Sequence, residues 1–203
     1  MAEKTQISYD PLRLTILALL AEQPCHPYEM QRLIRQRKKD FAIVPPRTLY
    51  HAIERLHQAG LIEPVETNRE GKRPERTIYQ VTEEGQEEFQ TWLSEMLTYP
   101  AEEHPAFTVA LSFLSSLSAE TVLRALLGRA AALEGKVAGL TATLRVLHTQ
   151  LPRLVILELE YTLALRQAEL VWVQAVIDDI RAGKLSWDLG GLNEKLLTSR
   201  KDG

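Results

Sequence analysis

The chain has one cysteine, Cys25, among its 203 residues. A single thiol excludes an intramolecular disulfide and any cysteine cluster for a metal within one chain, so Cys25 is expected to be a small, partly buried apolar residue. Long apolar runs are missing too. The run Leu14–Ala21 is preceded by Asp10, Pro11 and Arg13 and ended by Glu22; it is too short to span a bilayer and lacks signal-peptide flanks. The expectation is a cytoplasmic protein with no membrane partner. Proline and glycine, ten each, are at ordinary levels and suggest neither disorder nor a collagen-like repeat. A large excess of either charge is missing: 24 Lys and Arg against 27 Asp and Glu leave a formal net charge of −3, which argues against a nonspecific nucleic-acid coat. Catalytic signatures are also absent. There is no phosphate-cradling glycine loop, no Ser-His-Asp spacing and no metal-ligand cluster. His51 and His57 lie six apart and share no helical face, while His26, His104 and His148 stand alone. The reading is a non-enzyme with no catalytic residue, no metal and no cofactor.

What is present begins with unevenly placed charge. Five cations fall between Arg32 and Lys39, and four more are Arg69, Lys72, Arg73 and Arg76. Acids gather instead over residues 83–88 and at Glu102 and Glu103. The 45% hydrophobic content is enough for one large domain or two small ones. Residues 11–22 place Leu12, Ile16, Leu19 and Leu20 on one helical face, with Pro11 suited to the first turn. After a break at Pro24–Pro27, residues 28–39 predict a second helix with Met30, Leu33 and Ile34 inward and a basic C-terminal end that suits the helix dipole. Residues 41–44 read as a short extended link.

Residues 45–85 are the most informative. Leu49, Ile53 and Leu56 define the inner face of a third helix over 46–59, which Gly60 closes. Leu61–Ile62 and Ile78–Val81 read as short strands on either side of a basic turn, and Thr82 then caps a helix running to about Leu97. A helix followed by a two-stranded basic wing is how a winged helix-turn-helix grips duplex DNA, the helix in the major groove and the hairpin along the backbone. With Leu49 inward, Arg47, His51, Glu54 and Gln58 face outward. Arg47, Thr48 and His51 are therefore the candidates for base edges or adjacent phosphates. Tyr50 at the flank is a candidate for a phosphate oxygen or a half-buried ring. Lys72 and Arg73 at the wing tip, with Arg76 at the strand entrance, are candidates for backbone contact. The run Arg35–Lys39 either faces the DNA backbone or is a solvated helix end.

The texture changes after Tyr99 and Pro100. A short helix is expected over Phe107–Leu117. Leu123, Leu126, Ala130, Leu133, Val137, Leu140, Leu144 and Leu147 then step alternately by three and four, an a/d seam of more than three heptads. Gln150–Pro152 breaks it. A second helix carries Leu154, Leu157, Tyr161, Ala164, Ala168, Val171 and Ala175 at the same spacing, beside a further apolar face of Leu165, Trp172, Val176 and Ile180. The short break makes the two helices antiparallel neighbours, and one hairpin cannot cover so wide an apolar surface. The excess, Leu157, Tyr161, Leu165, Trp172, Val176 and Ile180, is assigned to a subunit interface, with packing onto the N-terminal domain as the competing reading. Trp92 and Trp172 are the candidates for stacking a small flat aromatic effector, against simple core packing. The domains expected are a winged helix-turn-helix over 1–98, a helical dimerisation domain over 99–185 and a tail over 186–203, mainly α throughout. The alternative function is a protein-docking module built on the same winged helix and hairpin.

Three stretches carry a resemblance. LTILALLAEQPCHPYEMQRLI (14–34), TLYHAIERLHQAGLI (48–62) and YQVTEEG (79–85) resemble the PadR family of bacterial transcriptional regulators over about the first 95 residues. The family commonly has glycine between the His and Tyr of its first motif and shortly before the Thr-Leu-Tyr step. Pro27 and Pro46 or Arg47 stand there in this chain, so these turns are stiffer. Residues 106–183 are similar in pattern to the helical C-terminal domain of the longer, virulence-activator-like members. The resemblance implies a homodimer, a palindromic operator in double-stranded DNA and usually repression. It associates the positions of Tyr50, Lys72 and Arg73 with DNA contact, and it places Tyr28 at the His-x-Tyr step, either on a phosphate or packed.

Overall fold

The computed structural model describes residues 10–37, 39–68, 76–100 and 103–187. The chain divides into two compact units, residues 1–103 and 104–203.

The first unit is built around α1 (Pro11–Glu22). Asp10 caps it, its carboxylate accepting from the amides of Leu12 and Arg13. Leu12, Ile16, Leu17, Leu19 and Leu20 are all buried, so α1 is apolar nearly all round and runs through the core. Helix α2 (Pro27–Gln36) buries Pro27, Met30 and Ile34. It stops three residues earlier than its sequence pattern suggested. The next residues form a 3-10 turn, Asp40–Ala42, rather than an extended link, and the turn tucks Ala42 into the core. Helix α3 (Pro46–Gln58) buries Leu49, Ala52, Ile53 and Leu56. Gly60, at φ +74°, turns the chain out of it into the left-handed region that glycine enters without strain.

Strands β1 (Ile62–Asn68) and β2 (Arg76–Val81) form an antiparallel ladder that extends beyond the two short apolar runs. Glu63, Pro64 and Glu66 hide β1 from any alternation test. Pairing with β2 makes the strand nonetheless, with a bulge at Val65 between Pro64 and Glu66. A third extended piece joins the ladder where sequence gave only a break: Cys25 and Tyr79 exchange backbone hydrogen bonds at 3.0 and 3.2 Å. Cys25 is buried there, its thiol pushed up to about 11 by desolvation. Helix α4 (Glu83–Thr98) begins at Thr82, whose hydroxyl accepts from the Gly85 amide and donates to the Gly60 carbonyl.

In the second unit the expected helix over 107–117 is broken into α5 (Ala106–Leu111) and a 3-10 turn, Leu114–Ser116. Helices α6 (Ala119–Gln150) and α7 (Arg153–Arg181) form a hairpin closed by Leu151 and Pro152. Cross-links fix their antiparallel sense: His148 meets Glu160 near the closed end, and Gln174 and Glu169 reach Glu134 and Arg129 further along. On α6 the seam runs as expected, with Leu126, Ala130, Leu133 and Leu144 buried and Val122 added to it.

On α7 the stripe expected in the seam faces outward. Ile156, Val173 and Ile177 are the buried residues, with Leu159, Leu163 and Leu170 half-buried beside them. Leu154, Leu157, Tyr161 and Val171, expected in the seam, are 80%, 42%, 66% and 66% exposed and lie on the opposite side of the helix. Both stripes obey heptad spacing, so periodicity alone could not choose between them. The structure selects the one with β-branched Ile and Val at its ends. Among the described residues no helix is long and apolar enough to cross a membrane.

Candidate nucleic-acid interface

Amphipathicity positions α3. Its inner residues lock into the core of the first unit, so its outer residues are fixed by the same packing. Arg47, Thr48, Tyr50 and His51 all lie outward, and their side chains form no hydrogen bond or ion pair with the described residues. Tyr50 is 50% exposed, a ring with its hydroxyl available at the helix flank. Pro45 and Pro46 begin the helix and no side chain caps it, so the positive end of its dipole accompanies Arg47. Further along, Gln58 donates to Glu54 at 2.8 Å. Arg47, Thr48 and His51 thus sit at the N-terminal end of α3, with Glu54 one turn beyond and Arg55 exposed in the last turn.

Tyr28 opens α2 and is 72% exposed. Its amide donates to Nδ1 of His26 at 3.1 Å, which makes His26 the cap of α2 with its proton on Nε2 for this contact. The basic run at the end of α2 does not act as one patch. Arg37 lies at the C-cap and grips both oxygens of Glu22 at 2.5 and 2.6 Å. That pairing holds the Glu22 carboxyl below its ordinary range and raises Arg37. Lys39 lies over the ring of Phe41, 5.9 Å from its centroid. Arg35 is exposed in the last turn of α2, and Lys38 falls outside the described residues.

The wing is described only at its base. Arg76 pairs with Asn68 across the ladder, its side chain being outside the described residues, as are Lys72 and Arg73 altogether. His57 closes the base from the helix side. Its Nδ1 lies 3.1 Å from the carbonyl of Ile62, and its ring meets Tyr79 edge-on at 6.1 Å. Burial raises the Tyr79 phenol, with smaller contributions from Glu54 and Tyr50.

Trp92 is half-buried against the first core, with the Arg13 guanidinium 5.1 Å from its ring centroid. Its face is thus already occupied by an intramolecular cation, a pairing across α1 and α4 that no sequence spacing reveals. Trp172 is 46% exposed and meets Phe107 edge-on at 6.0 Å. Phe107 in turn lies under Arg129, 3.5 Å from its centroid, and Arg129 is paired with Glu169. Burial pushes the Glu169 carboxyl up, but hydrogen bonds from Arg129 and Arg166 outweigh it and hold it below its usual range. Of the six residues assigned to an interface, Leu157, Tyr161, Leu165 and Trp172 are exposed. Val176 and Ile180 are half-buried against the core of their own unit. No group of three or more His, Cys, Asp or Glu among the described residues is arranged to hold a metal ion.

Residues 16–91 match the model of the transcriptional regulator PadR-like family. Solved structures similar in fold include Bacillus subtilis PadR in complex with operator DNA, at 20% identity and a TM-score of 0.66 over 84% of this chain and 99% of that one. The same protein in complex with p-coumaric acid matches at 19% identity and a TM-score of 0.69, over 85% and 99% of the two chains. The Vibrio cholerae virulence activator AphA matches at 20% identity and a TM-score of 0.64, over 84% and 98%. No curated protein sequence gives a significant match.

Proposed function

We propose, from the premise that residues 16–91 are a PadR-like family domain, that this chain is a sequence-specific DNA-binding transcriptional regulator acting as a dimer on a palindromic operator. The observation that carries the reading is the outward row Arg47, Thr48, Tyr50 and His51 on the first turns of α3, rigidly backed by Leu49 and Ile53 and without partners among the described residues. A helix reads base edges best from its N-terminal turns, and an arginine there suits a guanine edge through two parallel hydrogen bonds. Tyr28 and Tyr50 add hydroxyls for phosphates, while Lys72, Arg73 and Arg76 supply cations to the backbone. Two copies joined through the outer face of α7 would present two reading helices, which a palindrome matches.

Where the operator overlaps a promoter, occupying it would block polymerase, so the reading extends to repression. The fold similarity to a protein solved both on operator DNA and with p-coumaric acid supports operator binding and a small aromatic effector. On this reading the protein is not an enzyme and works where the DNA is, in the cytoplasm. Selection of bound duplexes from random DNA, followed by titration of the selected site across a salt series, tests it. A palindromic consensus and a steep fall of affinity with salt are expected. Failure to enrich any sequence would favour the docking-module alternative. A promoter–reporter assay on the selected operator then decides repression against activation.

A further inference from the structure

Near its closed end the α6–α7 hairpin carries an open groove of about 360 Å³. One wall is aliphatic: Leu144 on α6, buried at 4% exposure, with Leu163 and Ala164 across from it on α7. Thr141, Arg145 and Gln167 also line the groove, and none of the three side chains forms a hydrogen bond or ion pair with the described residues. The carboxylate that lines it, Glu160, is already engaged. His148 Nε2 lies 2.9 Å from one of its oxygens, and Arg153 donates to the other at 3.0 Å. Arg145 is left as a full positive charge that nothing described in the hairpin neutralises.

A guanidinium offers five donors in a fixed fork and matches a carboxylate geometrically. Here it stands with an amide and a hydroxyl over an aliphatic surface. The complement of that arrangement is an acceptor-rich, negatively charged head on an apolar body. The groove also falls within the roughly 300–1,000 Å³ usual for small-molecule sites. We propose that this groove binds a small organic anion, a carboxylate whose head meets Arg145 and whose body lies along Leu144 and Leu163. Such a ligand would bridge α6 and α7 and so reinforce the hairpin. The site lies wholly within residues 104–203 and requires no DNA, so it stands or falls separately from the reading of α3.

The test uses the full chain with labelled leucine methyl groups, without duplex. Hexanoate and benzoate are titrated as alkyl and ring carboxylates, with hexanamide and benzamide as their neutral counterparts. At least one carboxylate should bind in the millimolar range or tighter, move the Leu144 and Leu163 methyl signals, and bind about tenfold or more tightly than its amide. Arg145→Met should weaken that binding by about tenfold or more. It should leave the melting temperature unchanged, because Arg145 is exposed and unpaired among the described residues. Ala164→Phe should abolish binding by filling the groove from an exposed position. The proposal is overturned if neither carboxylate moves those methyl groups, if acid and amide bind alike, or if Arg145→Met binds as the parent does. Operator affinity measured on the same samples separates a failure of the groove from a failure of the DNA-binding reading.

Discussion

Arg47 and Gly85 are single residues on which larger statements rest. Arg47 lies on the first turn of α3 with no partner among the described residues, so its removal should cost DNA contacts and little stability. Arg47→Ala should weaken operator binding by roughly 1–3 kcal/mol and random duplex much less. Equal losses on both duplexes, measured by titration at one salt concentration, would make Arg47 a phosphate contact instead. Gly85 is the opposite case, a residue with no functional group whose neighbours forbid anything larger. A Cβ there would lie 1.9 Å from the carbonyl oxygen of Leu61. Sequence suggests only that a glycine in a first helical turn is a modest weakness. In the folded chain the start of α4 is pressed onto the exit of α3, where Thr82 is also bonded to Gly60. Gly85→Ala should therefore cost about 3 kcal/mol by forcing backbone apart, read as a drop in thermal midpoint. An unchanged midpoint would mean that the contact relaxes freely.

Among the elements, the helices were legible where one stripe was apolar and ambiguous where two were. α1, α3 and α6 follow their sequence patterns because each has one defensible way to bury its leucines, whereas α4, whose Leu93 and Leu97 are exposed, follows its pattern through its cap at Thr82. β1 was under-read because Glu63, Pro64 and Glu66 interrupt any apolar alternation and its register comes from β2. α7 was assigned the wrong inner face because Leu154, Leu157 and Tyr161 repeat as regularly as Ile156, Leu159 and Leu163. The outward row on α3 was legible from Leu49 alone, whereas the Glu22–Arg37 and Arg13–Trp92 pairs depend on how helices meet. The two faces of α7 give opposite expectations. Val173→Asp buries an unpaired charge in the hairpin and should destabilise the second unit by about 3 kcal/mol or more. Leu154→Asp, at 80% exposure, should change the stability of the single protomer by less than about 0.5 kcal/mol, its effect falling on association instead. Both variants are therefore titrated with denaturant at a dilution where the protein is monomeric. Similar denaturant midpoints for the two variants would contradict the face assignment.

Acid should also act on the hairpin. Glu169 is held ionised by Arg129 and Arg166, so its folded carboxyl titrates lower than in the unfolded chain. Its contribution is present above the ordinary carboxylate range and is lost as pH falls through the lower, folded value. Glu169→Gln should lower the melting temperature at neutral pH and converge with the parent in acid. A constant difference across the pH series would mean that the carboxyl's charge is not what stabilises the site.

At the scale of the whole molecule, the outer face of α7 calls for a cover. Leu154, Leu157, Tyr161, Leu165, Val171 and Trp172 are between 42% and 80% exposed, a run of large apolar side chains along one side of a 29-residue helix. Apolar surface of that extent supports the proposal that a second copy covers it. A second copy meets the operator argument as well, since one chain carries one α3 and a palindrome has two half-sites. Replacing Leu157 and Tyr161 by Glu places charges on that face and touches neither hydrophobic core. The parent should sediment as a dimer at micromolar concentration and the double variant as a monomer of unchanged helix content. The variant should then lose operator affinity far more than affinity for a single half-site, because binding the second half-site is no longer intramolecular. A variant that stays dimeric would move the interface elsewhere in the chain. One that becomes monomeric yet keeps full operator affinity would show that a single reading helix suffices, and the palindrome would no longer follow.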